Sequence, residues 1–305
     1  LSMAVEAYQS DQTDDQVRLN WAEAVLELEI QNNARSAQGG VSEFPCLEDL
    51  QSAAEELYQA CVSRRSRFSL ATIHNAGLAL RLVGRNDDAK KVLEMGLALQ
   101  PREPSISLQL AIIAHESRDF ARILELLEED SDHPEVISLR SDAVAHVNSP
   151  SEALVLLEGV DSSNWSQEHR LMLLSSELTS LSKEGDWATA IEKCRRAIEE
   201  NPGSLRFKIV LARVLRISGD SDAAASQLEQ ILVDFPSDAT MAERVEVAAE
   251  YRQLGVYDPI VALLEDQVST QHDSEALRLL FGALVSGQKH RAAFSLFEAL
   301  PPELN

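Results

Sequence analysis

Apolar residues recur at intervals of three and four along most of this chain, in short stretches separated by polar turns. From Leu70 to Glu103 one stripe runs through Ile73, Ala76, Gly77 and Leu80. A second runs through Ala89, Val92, Leu93, Gly96 and Leu97. Gly84-Arg85-Asn86-Asp87 lies between them and Pro101 follows. That spacing puts one buried stripe on each of two helices. Small residues at Gly77, Ala89 and Gly96 let the helices approach closely, and proline blocks continuation of the second.

The unit repeats. Gly185, Gly219, Gly255 and Gly287 follow one another at 34, 36 and 32 residues, and five positions after each stands Ala190, Ala224, Ile260 or Ala292. A period near 34 predicts stacked helix-turn-helix units, with turns centred at Gly84, Gly185, Gly219, Gly255 and Gly287. Leu171–Ser204 carries Gly185-Asp186-Trp187 and Pro202. Leu205–Asp238 carries Ala212, Gly219-Asp220, Ala224, Leu228 and Pro236. A further unit from Met241 carries Ala248, Tyr251, Gly255, Tyr257 and Leu264. Units beginning at Pro104, Pro134 and Asp273 are degenerate.

A small residue in the first helix, a Gly-Asp/Asn-aromatic turn, alanine in the second helix and proline at the boundary resemble the tetratricopeptide repeat. The resemblance covers roughly Leu70 to Leu300. It implies an all-α, right-handed superhelical solenoid of such helix pairs, about seven of them over 70–305. Residues 1–69 read as an irregular N-terminal helical repeat: one helix over Gln16–Gln31 faces inward with Val17, Trp21, Ala24, Val25 and Leu28. A second spans Leu47–Ser63, and a flexible insertion is expected near 32–46. Ser2–Gln9 reads as part of a preceding, truncated unit.

Charge narrows the partners. The chain has 50 acidic and 27 basic residues, a formal net charge of −23. That field opposes phosphate backbones and anionic lipid, so neither nucleic acid nor a membrane is expected as partner. No apolar run is long enough for a membrane span. Three cysteines, Cys46, Cys61 and Cys194, share no short spacing. They indicate neither disulfides nor a metal knuckle, and fit a reducing, cytoplasmic location.

No catalytic, metal-binding or cofactor-binding constellation stands out, and no enzyme activity is expected. The seven histidines form no HExxH pair, and phosphate-cradling glycine loops and nucleophile elbows are missing. What remains is the surface that the first, or A, helices line in the resembled family. Its groove positions are the second, fifth, sixth, ninth, twelfth and thirteenth of each unit. From Leu205 these are Arg206, Ile209, Val210, Arg213, Arg216 and Ile217; Arg81 and Arg252 share the twelfth position in their units, and Arg278 occupies a groove position in the last. Arginine forks suit carboxylates, so Arg81, Arg206, Ile209, Arg213, Arg216, Arg252 and Arg278 are the candidate partner-binding residues. The alternative is a solvated helix face with ordinary i,i+4 partners.

The family's clamp for acidic chaperone tails is not matched: its fifth and ninth positions are His74 and Leu78 in one unit, and Ile209 and Arg213 in another. The expected function is a non-enzymatic protein-interaction module or scaffold that takes a peptide or protein segment, preferably acidic, in its groove. The rival is an accessory, substrate-presenting region of a larger enzyme. The last helix carries Ala292, Ala293, Phe294, Leu296, Phe297, Ala299 and Leu300, apolar over too wide an arc for one stripe. Continuation of the native chain, or homo-oligomer formation through this end, is therefore expected.

Overall fold

The computed structural model describes residues 15–36, 47–62, 69–129, 131–268 and 273–299. Ser2–Gln9, Cys46, the Phe297 side chain and Pro301-Pro302 lie outside what is described. Every regular element among the described residues is a helix. In chain order they are α1 (Asp15–Ser36), α2 (Leu47–Val62), α3 (Leu70–Leu82), α4 (Asn86–Leu99), α5 (Pro104–Glu116), α6 (Phe120–Leu126), α7 (Pro134–Val147), α8 (Pro150–Glu158), α9 (Gln167–Glu184), α10 (Trp187–Glu200), α11 (Leu205–Ile217), α12 (Ser221–Val233), α13 (Met241–Gln253), α14 (Asp258–Val268), α15 (Ser274–Ser286) and α16 (His290–Ala299). They form two compact units, Leu1–Ser180 and Leu181–Asn305, with the division inside α9.

In the first unit α1 to α5 share one core, with Trp21, Ala22, Val25, Leu26, Leu57, Ile73, Leu80, Leu93 and Ile106 buried. The inward face of α1 thus includes Ala22 and Leu26, while Val17, Ala24 and Leu28 are only half-buried. The helix also runs on to Ser36, so residues 32–36 of the expected flexible insertion are helical. Gly77 and Gly96 are the close approaches: a Cβ on Gly77 would lie 2.4 Å from Leu93 Cδ2, and one on Gly96 2.6 Å from Ile106 Cδ1. Cys61 is buried, which pushes its thiol up to about 11 and keeps it protonated and inert. The second unit packs α11 to α16 around Leu228, Val247, Tyr251, Ile260, Leu264 and Leu280.

Six turns share one backbone closure. At the first, Gly84 N–H donates to the Arg81 carbonyl and Arg85 N–H to the Leu80 carbonyl, at 2.9 and 2.8 Å. The same pair of bonds recurs at Arg118/Asp119, Gly185/Asp186, Gly219/Asp220, Gly255/Val256 and Gln288/Lys289. This Schellman arrangement requires a left-handed residue. Gly84, Gly185, Gly219 and Gly255 supply it at φ of 78°, 75°, 95° and 73°. In the degenerate units Arg118 and Gln288 supply it, both at 59°.

The last turn is therefore centred at Gln288 and not at Gly287, whose φ is −79°. The register moves with it: the buried small residue of α16 is Ala293, 4% exposed, and Ala292 is only half-buried. Phe294 is 61% exposed.

After three of these turns one aspartate serves both helices. Asp119, Asp186 and Asp220 each close the preceding helix through their own N–H. Their carboxylates then accept from the N–H groups of Arg122, Thr189 and Ala223 at 3.3, 3.1 and 3.1 Å, capping the following helix. Bonds from the Thr189 hydroxyl and N–H hold Asp186 below the usual carboxylate value.

Candidate functional site

Helix A residues at the predicted groove positions fall into both units. Arg81 belongs to the first, where its Nε donates to Gln109 Oε1 at 3.1 Å and Nη1 lies 3.7 Å from Glu116 Oε1, both on α5. A similar polar seam continues between α5 and α7, where His115 Nε2 and Asp142 Oδ2 are 2.7 Å apart. Arg81 is thus tied into a seam of its own unit. Arg206, Arg213, Arg216, Arg252 and Arg278 lie in the second unit, on α11, α13 and α15.

The centre of that second face is a carboxylate that the sequence reading missed. Glu250 on α13 is 4% exposed. Its Oε1 accepts from Arg213 Nε at 2.6 Å and its Oε2 from Arg216 Nε at 2.9 Å. Both arginines stand on α11, at the ninth and twelfth positions, roughly one turn apart and so on one helix face. A carboxylate is buried only when its charge is balanced and its lone pairs are used, and two guanidinium groups do both. The arginines themselves stay accessible, their side chains 44% and 24% exposed. Each uses its Nε on Glu250, and their Nη groups donate to no described residue. Glu250 lies 34 residues after Arg216, two short of the 36-residue step from Gly219 to Gly255, so it stands two residues before Arg252, the register mate of Arg216.

The remaining candidates divide. The side chain of Arg252, exposed at the twelfth position of α13, makes no hydrogen bond or ion pair with any described residue. Its register partner on the next A helix, counted from the left-handed turn residues, is Val285, which cannot balance it. Arg278 is 71% exposed and lies 3.6 Å from Glu275, a surface contact worth little. Arg206 is half-buried and partnered.

Ile209 is a correction. It is 1% exposed and belongs to the core with Val245 and Leu228, so it does not present to a partner. Ile209 and Val245 hold the same position on consecutive A helices, and both are buried in the one core of this unit. The exposed apolar groups on the A helices of this unit are Ile217, Phe281 and Val285, at 53%, 42% and 41%.

No group of three or more His, Cys, Asp or Glu converges in metal-binding fashion among the described residues, and no helix there is long and apolar enough to cross a membrane. The face presents guanidinium groups beside exposed apolar side chains.

Comparison with known proteins agrees with this architecture. The tetratricopeptide repeat family model matches residues 181–243. A tetratricopeptide repeat protein from Parabacteroides merdae is similar at 16% identity and a TM-score of 0.55, over 85% of this chain and 98% of that one. PilF of Pseudomonas aeruginosa gives 18% and 0.46, over 76% and 99%. Human IFIT1, solved as a dimer with m7Gppp-AAAA, gives 15% and 0.44, over 96% and 70%. At such identities the first likeness speaks for the fold alone, and the other two carry no argument. No curated protein sequence matches the chain. Residues 181–243 match the tetratricopeptide repeat model, and the described residues have an all-α fold of helix pairs like that of tetratricopeptide repeat proteins.

Proposed function

We propose that the second unit binds an acidic, partly apolar segment of another protein along the A-helix face centred on Arg213, Arg216 and Arg252, and that the chain works as a non-catalytic scaffold. The observation that supports this most is the state of the arginines. Arg213 and Arg216 are held in place yet keep their Nη donors, and the Arg252 side chain is exposed without a partner among the described residues. Charge distribution points the same way: residues 181–305 contain 20 acidic and 13 basic residues against 30 and 14 in residues 1–180. Ile217, Phe281 and Val285 supply apolar contact.

The test is selection of peptides from a random library by the wild-type protein and by a variant with Arg213, Arg216, Glu250 and Arg252 all changed to Gln. Direct reversal of Arg213 and Arg216 to Glu would gather three carboxylates at one buried point and unfold the region. Enrichment of acidic, apolar peptides by the wild type but not by the variant is expected. Identical selections from both proteins would remove the reading.

A further inference from the structure

We propose that the Arg213–Glu250–Arg216 cluster is a seat for a phosphoryl group, so that the segment received on this face is a phosphorylated one; this rests on the groove reading above. Glu250 binds one Nε from each arginine on its two separate oxygens. Both guanidinium groups are therefore held within one carboxylate's width of each other. Two like charges so close repel, and in the absence of Glu250 they would swing apart into solvent. Glu250 is a positioning residue: it prepares the pair and leaves four Nη nitrogens for an outside acceptor.

The count of acceptors and charges selects the ligand. A peptide carboxylate has two oxygens and one charge, and a single arginine fork satisfies it. A phosphoryl group has three terminal oxygens and a charge of about −1.5 to −2 at neutral pH, enough to occupy two forks at once. The cluster has two positive groups and one negative. On the neighbouring A helix Arg252 stands exposed at the twelfth position and Glu246 half-buried at the sixth. The cluster itself carries one net positive charge, in a chain whose net charge of −23 would otherwise turn a phosphoryl group away.

The experiment follows the arginine Nε–H resonances of the 15N-labelled protein during titration with a short Leu/Ala peptide containing phosphoserine, with its unphosphorylated parent and with inorganic phosphate. Saturable shifts of Arg213 and Arg216 with the phosphopeptide are expected, with a Kd about tenfold or more below that of either comparator. Equal affinity for the unphosphorylated parent overturns the proposal. Inorganic phosphate binding as tightly as the phosphopeptide also overturns it, since the seat would then serve a free anion.

Glu250→Gln separates positioning from bulk charge. It makes the site more positive, so attraction alone predicts tighter phosphopeptide binding, whereas a positioned seat predicts weakening by about tenfold. Arg213→Lys with Arg216→Lys keeps the charge and removes the forks; it should abolish the preference for phosphate, and it stands in if Glu250→Gln does not fold. A Lys,Lys variant that keeps the wild-type preference for phosphate, or a wild type that binds acidic peptides with no such preference, would end this inference and leave the groove reading intact.

Discussion

Two glycines in A helices make opposite predictions at the residue scale. A Cβ on Gly77 would sit 2.4 Å from Leu93 Cδ2 and 2.5 Å from Leu93 Cγ, whereas one on Gly282 meets nothing within 4 Å. Replacing a mid-helix glycine by alanine gains about 1 kcal/mol of helix propensity. Overpacking a tight contact costs about 1–3 kcal/mol. Gly77→Ala should therefore be destabilising by up to ~2 kcal/mol, and Gly282→Ala stabilising by ~1 kcal/mol. Urea titration of both variants checks the signs; a stabilised Gly77→Ala would mean that Leu93 repacks without cost.

The arginine–glutamate cluster offers a second residue-scale measurement. Arg213→Leu with Arg216→Leu strands a carboxylate that is 4% exposed. Loss of all partners of a buried charge costs ~3–5 kcal/mol. Because Arg213 is 44% exposed, water reaches this cluster and the expected loss is nearer ~2 kcal/mol. Adding Glu250→Leu should recover most of it. A triple variant no more stable than the double would show that Glu250 was never burdened by the loss.

At the scale of elements, the turn is the unit of information. Gly219→Ala forces a side chain into φ of 95° and should cost ~1–2 kcal/mol. Asp220→Ala removes the cap of α12 and should cost ~1 kcal/mol. Gly203→Ala, whose Cβ would meet nothing within 4 Å, is the comparison that should change little. Thermal melts rank the three. Ala190 and Ala224 are 1% and 0% exposed. Ala190→Trp and Ala224→Trp should each lower stability by ~1–3 kcal/mol or more, and unaltered melts would contradict that packing.

These same elements explain what the sequence made legible. Glycine is nearly the only residue that sits cheaply at positive φ, so Gly84, Gly185, Gly219 and Gly255 announced their turns. Gln288 adopts that conformation beside a glycine that does not, and a pattern that counts glycines lands one residue early. Ile209 was misplaced and Glu250 went unnoticed for a related reason. Groove positions are defined along one helix, but burial is decided by the helix one repeat away. Ile209 joins a core that also takes in Val245 of the next A helix, and the two arginines of α11 hold a charged residue of α13 out of water.

Charge acts on the whole molecule in two opposing ways as pH falls. The net charge of −23 at neutral pH repels itself and weakens the compact state, so protonation toward the isoelectric point near 4.6 relieves strain. Against this stand carboxylates that the fold holds in ionised form. The Arg85 guanidinium and then the Gln59 amide lower Glu55 from 4.5, and Arg85 and then Lys91 lower Asp88 from 3.8. Asp161 and Asp186 are lowered from 3.8 by bonds to Ser163 and Thr189. A group whose folded value is depressed adds stability above its unfolded value and loses it as pH falls through the folded value. The loss therefore begins near 4.5 for Glu55 and near 3.8 for the aspartates and is complete only below their depressed values. Between pH 7 and 5 only the relief of repulsion operates. Melting temperature at low salt should therefore rise modestly from pH 7 to about 5 and fall steeply below about 4. Added salt should flatten the rise, because it screens long-range repulsion, and should leave much of the acid fall, which follows from short contacts. Glu55→Gln should shift the onset of the fall toward lower pH. A melting temperature that drops steadily from pH 7, with no intermediate maximum, would mean that repulsion among the 50 acidic residues does not limit this fold.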